Sequence, residues 1–362
     1  LTRSLWRDEW DSVQFALALD EFNLWKHQPH PPGYPLYVFS GYVLHAVGLD
    51  PVTALVLVGC LAGAVFVGLW FRIVAEAFSE SLAWLVAGAT ALTPAVWLTA
   101  TKALTDVPAA AALTFAVWLA LRYVRTPTLR GLVQTALAGA LATGFRPQWF
   151  AVVLVLLITA VLRARGRGRD WAIMVVALLA GNLLWLVPTS LSQADAEPQR
   201  AGPMAYPQQL MRQWQWRLDK PNVYIGAGDM SAGRIKARLV EHVDGWTRKG
   251  LGLSSEGKRA VFYVLFLVGG ALTIYRRATP GFWLLQGPWA ILLALVVFCC
   301  LPEDRRYYVP LAPLMWLGML AGLHSLGRGW AWAGWLVPLR LASLCLPIAW
   351  AGHQTPPAPV QA

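Results

Sequence analysis

A few ionisable side chains stand apart in a mostly apolar chain: Asp11, His30, Asp106, Arg146, and the run Arg305-Arg306-Tyr307-Tyr308. A carboxylate such as Asp11 can take the proton of an acceptor hydroxyl as that oxygen attacks an electrophilic carbon, a contribution of roughly 10² to 10⁴-fold. In the run Asp8-Glu9-Trp10-Asp11 the same residue also reads as one solvated acid among three. Asp106 lies between apolar stretches, and acids so close to hydrocarbon are costly and tend to be paired or functional. Thr105-Asp106-Val107-Pro108 is equally a helix start, with a capping side chain and a proline in the first turn.

Arg146 interrupts an apolar run, and a guanidinium can grip a phosphate through two parallel hydrogen bonds. A snorkelling arginine bound to ordinary phospholipid accounts for the same pattern. Arg306 carries the same two readings. His30 can hydrogen-bond a sugar or a phosphate, or it can simply fix the loop before Pro31-Pro32. Tyr34, Tyr307 and Tyr308 offer hydroxyls and ring faces to a sugar, and tyrosine also belongs at membrane interfaces without any ligand.

The elements that would hold these residues are helices in a membrane. Of 362 residues 57% are hydrophobic and 14% charged, a composition foreign to water-soluble domains. Stretches of about 17 to 25 apolar residues without interior charge are long enough to cross roughly 30 Å of hydrocarbon. No alternating pattern of barrel strands appears, so the fold class is an all-α, polytopic membrane bundle. Ten spans are expected, near 52–76, 82–101, 107–122, 131–145, 148–162, 171–190, 260–275, 282–301, 309–326 and 330–350.

The net charge of +11 does not point to nucleic acid, because the basic residues fall mainly in short loops between spans and in one long loop. Placing Arg122, Arg125 and Arg130, Arg163 to Arg169, and Arg276 with Arg277 on the cytoplasmic side follows the positive-inside rule. The opposite side then receives residues 1–50, the turn at 105–108, the break Arg146-Pro147, the segment 192–258, and Pro302 to Tyr308. Five polar elements are thereby expected on one face, that of the cell exterior in a bacterial plasma membrane. Residues 33–49 are apolar too, but counting them as a span would invert this parity, so an interfacial or re-entrant helix is expected there. The segment 192–258 either covers a substrate cleft or rests on the lipid surface.

The motifs in this order resemble the GT-C superfamily of glycosyltransferases that use polyprenyl-phosphate sugars, especially relatives of the protein O-mannosyltransferases. The likeness rests on Asp11-Ser12, the block His30-Pro31-Pro32-Gly33-Tyr34-Pro35-Leu36, Thr105-Asp106-Val107-Pro108, Arg146-Pro147, and Arg306-Tyr307-Tyr308-Val309-Pro310. It implies a transferase with Asp11 as base, Asp106 assisting, and His30, Tyr34, Arg146, Arg306 and Tyr307 binding substrate. The implied partners are a lipid-linked sugar donor, membrane lipids, and a glycan, lipid or protein acceptor. Gln14 stands where those relatives usually carry glutamate, and the span that precedes their acidic loop is expected upstream of Leu1.

The chain divides into a GT-C-like membrane module at 1–191 with its outer loop at 1–50, an extracytoplasmic region at 192–258, and further spans at 259–362. No P-loop or dinucleotide-binding unit is present, which excludes the nucleotide readings. Cys60, Cys299, Cys300 and Cys345 lie in apolar stretches without ligand spacing, and Asp8-Glu9 and Glu303-Asp304 lack a ligand pattern. No metal site is therefore expected, although a divalent ion assisting the donor stays open. A multi-span transporter, a lipid-carrier flippase and a non-catalytic envelope scaffold are the alternatives. Transporters generally place binding groups at the midplane of broken helices in repeated halves, and no repeat is visible here.

Overall fold

The computed structural model describes residues 10–196, 206–211, 232–251 and 305–325, with isolated positions between 253 and 264. The expected spans at 282–301 and 330–350 lie outside the described residues, as does nearly all of that at 260–275. The described chain is helical throughout; its sole β-type pairing is an isolated bridge between Asn23 and Gln28.

The order is α1 (Trp10–Asp20), α2 (Pro35–Ala46), α3 (Pro51–Ala77), α4 (Glu80–Ala91), α5 (Pro94–Ala100), α6 (Asp106–Arg125), α7 (Leu129–Phe145), α8 (Phe150–Arg163) and α9 (Gly168–Ala196). After these come α10 (Ala232–Gly245), a π-helical turn (Trp246–Gly250), a 3₁₀ turn (Arg305–Leu311) and α11 (Ala312–Ser325). Among the described residues α3, α6 and α9 are each long and apolar enough to cross a membrane. The protein is a multi-pass membrane protein.

Helix starts follow local chemistry. The Asp50 carboxylate accepts from the Thr53 amide, with Pro51 filling the first helical position of α3. Ser79 and Thr128 cap α4 and α7 in the same manner. The stretch 82–101 departs from the single span expected for it. It divides into α4 and α5, bent by 58° at Leu92-Thr93. Pro94 forces the break, because a proline disfavours helical backbone in the residue before it.

Residues 33–49 form α2 rather than a span. Its Phe39, Tyr42 and Val43 are exposed while Tyr37 is fully buried against the bundle. Such an apolar outward face suits a helix lying in the interface.

Leu57, Leu61 and Val65 on α3, and Val176, Leu179, Leu183 and Leu184 on α9, form the apolar outer surface of the bundle. Inside, α6 is buried along most of its length, with α3, α7 and α8 around it. Its 20 residues give a rise of about 30 Å, which puts Asp106 at one end of the bundle and Arg122 with Arg125 at the other. At that far end Arg125 pairs with Glu76 at 2.8 Å, and Arg122 lies over the Trp118 ring.

Candidate active site

Helix ends build the site. Asp106 is the first residue of α6, and Asp11 sits in the first turn of α1. Both carboxylates therefore face the positive end of a helix, where negative charge is favoured. Arg146 is the residue that closes α7, its amide donating to the Ala142 carbonyl, and positive charge is favoured at that end. Pro147 stops the helix there. Arg306 and Tyr307 belong to the 3₁₀ turn.

The Thr105 hydroxyl donates to the Phe145 carbonyl at 3.0 Å, which sets the start of α6 against the end of α7. The next residues then meet: Arg146 Nη1 donates to Asp106 Oδ1 at 2.5 Å. Both side chains are largely buried, at 13% and 5% exposure. The expected capping role of Thr105 and Asp106 is only half met. Thr105 occupies the cap position and Pro108 falls in the first turn, but neither side chain caps α6: the Thr105 hydroxyl is spent on Phe145, and Asp106 lies inside the helix with its carboxylate on Arg146.

Asp11 pairs with Arg306, 295 positions away in sequence. That pair is more accessible, with the Asp11 side chain 23% and the Arg306 side chain 18% exposed. Tyr307 joins the two pairs. Its ring centroid lies 5.1 Å from the Arg306 guanidinium and 5.9 Å from that of Arg146, and its hydroxyl accepts from Arg306 Nη2 at 3.3 Å. Trp149 adds a second ring, 5.6 Å from Arg146.

The proline block sits directly beside this centre. His30 Nδ1 lies 2.7 Å from Gln14 Oε1 and 3.7 Å from Asp11 Oδ1. Burial pushes the His30 pKa down, against the opposing charge of Asp11, so the ring is neutral near pH 7 and donates through Nδ1 to the Gln14 carbonyl oxygen. Tyr34 is packed edge-on against Phe15 and His30, and its hydroxyl accepts from Gln148 Nε2 at 3.0 Å. Burial raises its pKa. Gly33 is obligatory here: its φ is +93°, and an added Cβ would stand 2.9 Å from Leu24 Cδ2.

All five elements assigned to one face by loop charge are thus in contact. The segment 192–258 reaches the others through three links. Gln193 bonds the backbone of Phe22 and Leu24, the Tyr206 hydroxyl donates to the Pro32 carbonyl at 2.6 Å, and His242 on α10 pairs with the Tyr308 hydroxyl at 3.0 Å. Of the amphipathic stretch near Leu210 to Leu218, only its first two residues are described.

Sequence reasoning singled out Asp11, His30, Tyr34, Asp106, Arg146, Arg306 and Tyr307, and the fold brings all seven together. It missed Gln148, Trp149 and His242. The first two were signalled by their place directly after Arg146-Pro147; His242 stands in a polar stretch and carried no signal. Gln14, noted only as a departure from the relatives, is 4% exposed and orients His30.

Beside α1, a cleft of about 490 Å³ opens between α1, α2 and α9, lined among others by Leu19, Phe22, Leu36, Phe39 and Trp185. No group of three His, Cys, Asp or Glu side chains among the described residues is arranged to hold a metal ion. Cys60 is a free thiol beside the Ala100 carbonyl, and the other cysteines lie outside the described residues.

Helices long and apolar enough to cross a membrane, with two carboxylate–guanidinium pairs gathered at one end of the described bundle, define a membrane protein. The family model described as dolichyl-phosphate-mannose-protein mannosyltransferase matches residues 30–192. The fold is similar to that of ArnT from Cupriavidus metallidurans bound to undecaprenyl phosphate, with a TM-score of 0.60 at 16% identity over 95% of this chain and 60% of that one. Its apo state gives 0.57 with the same identity and coverage. The chain spans about 60% of the length of ArnT. No curated protein matches the sequence. The chain thus shares the fold of ArnT, and its residues 30–192 match that family model.

Proposed function

We propose that the protein is an inverting glycosyltransferase that moves a sugar from a polyprenyl-phosphate donor to an acceptor hydroxyl at the outer face of the membrane. The observation that carries this reading is the convergence of Asp11, Asp106, Arg146 and Arg306, from separate parts of the chain, around the single ring of Tyr307. Two guanidiniums at one membrane boundary suit a lipid phosphate, and a carboxylate beside them suits an acceptor hydroxyl. The arginine-rich helix ends lie about 30 Å away, which by the positive-inside rule supports an extracytoplasmic face for the site.

The step is a single displacement. Asp11 takes the proton of the acceptor hydroxyl while its oxygen attacks the anomeric carbon. The bond from that carbon to the phosphate oxygen breaks, and its electron pair leaves on the phosphate. Because phosphate is already a good leaving group, one base suffices where glycoside hydrolysis needs an acid as well. Arg306 and Arg146 hold the phosphate, Asp106 fixes Arg146, and His30 is oriented by Gln14 toward Asp11. Tyr34 and Tyr307 line the sugar's approach. The apolar cleft between α1, α2 and α9 accepts part of the isoprenoid chain, as the undecaprenyl phosphate of the ArnT structure suggests.

The experiment is to incubate the purified full-length protein with a panel of polyprenyl-phosphate sugars and follow release of the lipid phosphate. Turnover of one donor, lost in Asp11→Asn, is the expected result. No release from any donor defeats the activity, and undiminished turnover by the variant removes Asp11 from the mechanism.

A further inference from the structure

Asp11 is occupied as it stands. One of its oxygens accepts from Arg306, and the other lies 3.7 Å from His30 Nδ1. We infer that the donor phosphate and Asp11 compete for the Arg306 guanidinium, so that donor docking itself draws Arg306 away and uncovers the base. This rests on the reading of the site given above.

Three observations favour exchange at this pair rather than at its neighbour. First, the pairs are unequally enclosed: Asp106 and Arg146 are 5% and 13% exposed, Asp11 and Arg306 23% and 18%. Removing one partner of an enclosed pair strands a buried charge, whereas the more open pair lies within reach of a ligand.

Second, Arg306 has somewhere to go. The Tyr307 ring and hydroxyl already contact its guanidinium, and Arg146 lies over the same ring. A guanidinium that turns toward a phosphate held by Arg146 keeps this aromatic contact. A phosphate also carries more charge than a carboxylate and fits the planar fork of donors.

Third, Asp11 keeps a favourable neighbour when Arg306 leaves, because it sits in the first turn of α1, where negative charge is favoured. The reaction then balances without further partners. The phosphate takes over Arg306, and Asp11 accepts the acceptor's proton. The new glycosidic bond forms as the old carbon–oxygen bond breaks, and the departing polyprenyl phosphate keeps Arg306 until it dissociates. Donor therefore binds before acceptor is activated.

A double-mutant cycle tests this, with C55 polyprenyl phosphate, without sugar, as probe and the full-length protein in nanodiscs. Asp11→Asn should bind the probe roughly three- to tenfold more tightly than wild type, since no carboxylate has to be displaced. Arg306→Gln should bind it more weakly, and adding Asp11→Asn in that background should give no gain. An equal gain in both backgrounds would mean that the Asp11 charge merely repels phosphate, and the exchange is wrong. No gain in the single variant also overturns it. If Asp11→Asn does not fold, Asp11→Ser carries the same comparison. A wild-type protein that binds no polyprenyl phosphate sinks the functional reading itself, which is a separate result.

Discussion

Arg146 donates to Asp106 at 2.5 Å, and the residues immediately before them, Phe145 and Thr105, are joined by their own hydrogen bond at 3.0 Å. Two consecutive contacts thus clamp the end of α7 to the start of α6. Asp106→Ala leaves a buried guanidinium without its carboxylate and should destabilise the protein by about 3–5 kcal/mol. Replacing both residues together, Asp106→Leu with Arg146→Met, should restore most of that stability without restoring transfer. Thermal unfolding in detergent alongside a transfer assay checks both halves.

Asp11 and Arg306 should behave differently, because their pair is more open. Asp11→Asn should leave the melting temperature within a few degrees of wild type and lower transfer by at least about 10²-fold. Arg306→Lys keeps the charge but loses the planar fork and the stacking on Tyr307, so donor KM should rise even though net charge is unchanged. A melting temperature that collapses in Asp11→Asn would assign the residue to structure instead.

His30 predicts a pH dependence of stability. Its pKa is held down chiefly by burial, so the unfolded chain takes up a proton first as pH falls below the ordinary histidine value of about 6.5. Stability is full above that value and is lost as pH drops through it toward the folded pKa. Melting temperatures between pH 7.5 and 5 should therefore fall less steeply for His30→Gln than for wild type. Parallel curves would take His30 out of the pH response.

Two glycines of α3 offer a packing test within one helix. A Cβ on Gly59 would stand 2.6 Å from the Ala100 carbonyl oxygen, a backbone atom at the end of α5, whereas a Cβ on Gly68 meets nothing within 4 Å. Gly59→Ala should cost about 1–3 kcal/mol by pushing the two helices apart. Gly68→Ala should be neutral or slightly stabilising, since alanine is the better helix former. Comparing the two melting temperatures decides it.

The link between α10 and the 3₁₀ turn is open to test at Tyr308, which is 2% exposed and bonded to His242. Tyr308→Phe removes that hydrogen bond and should cost about 1–3 kcal/mol if the histidine nitrogen is left buried. Because Arg306 and Tyr307 lie on the same turn, donor affinity should fall as well, measurable with polyprenyl phosphate; unchanged affinity would show that the turn holds without its bond to α10.

By itself the sequence determined the class of fold and singled out seven side chains that the fold brings together. Apolar run length forces spans, because lipid offers no partner for backbone amides. The scarcity of charge in those runs made Asp11, Asp106, Arg146 and Arg306 conspicuous, and the parity of arginine-rich loops put all four on one face. Local rules also read Pro147 and the 30–37 block as breaks or turns, but not the bend that Pro94 puts into 82–101. Pairing could not be read in this way. Which carboxylate meets which guanidinium depends on how α6 and α7 are rotated and set in height against each other, and on contacts such as Thr105 to Phe145 and His242 to Tyr308 across 40 and 66 positions. The tertiary structure alone decided that Asp106 belongs to Arg146, Asp11 to Arg306, and that Tyr307 stands between them, since ion pairing acts over a few ångströms of space and is indifferent to separation along the chain.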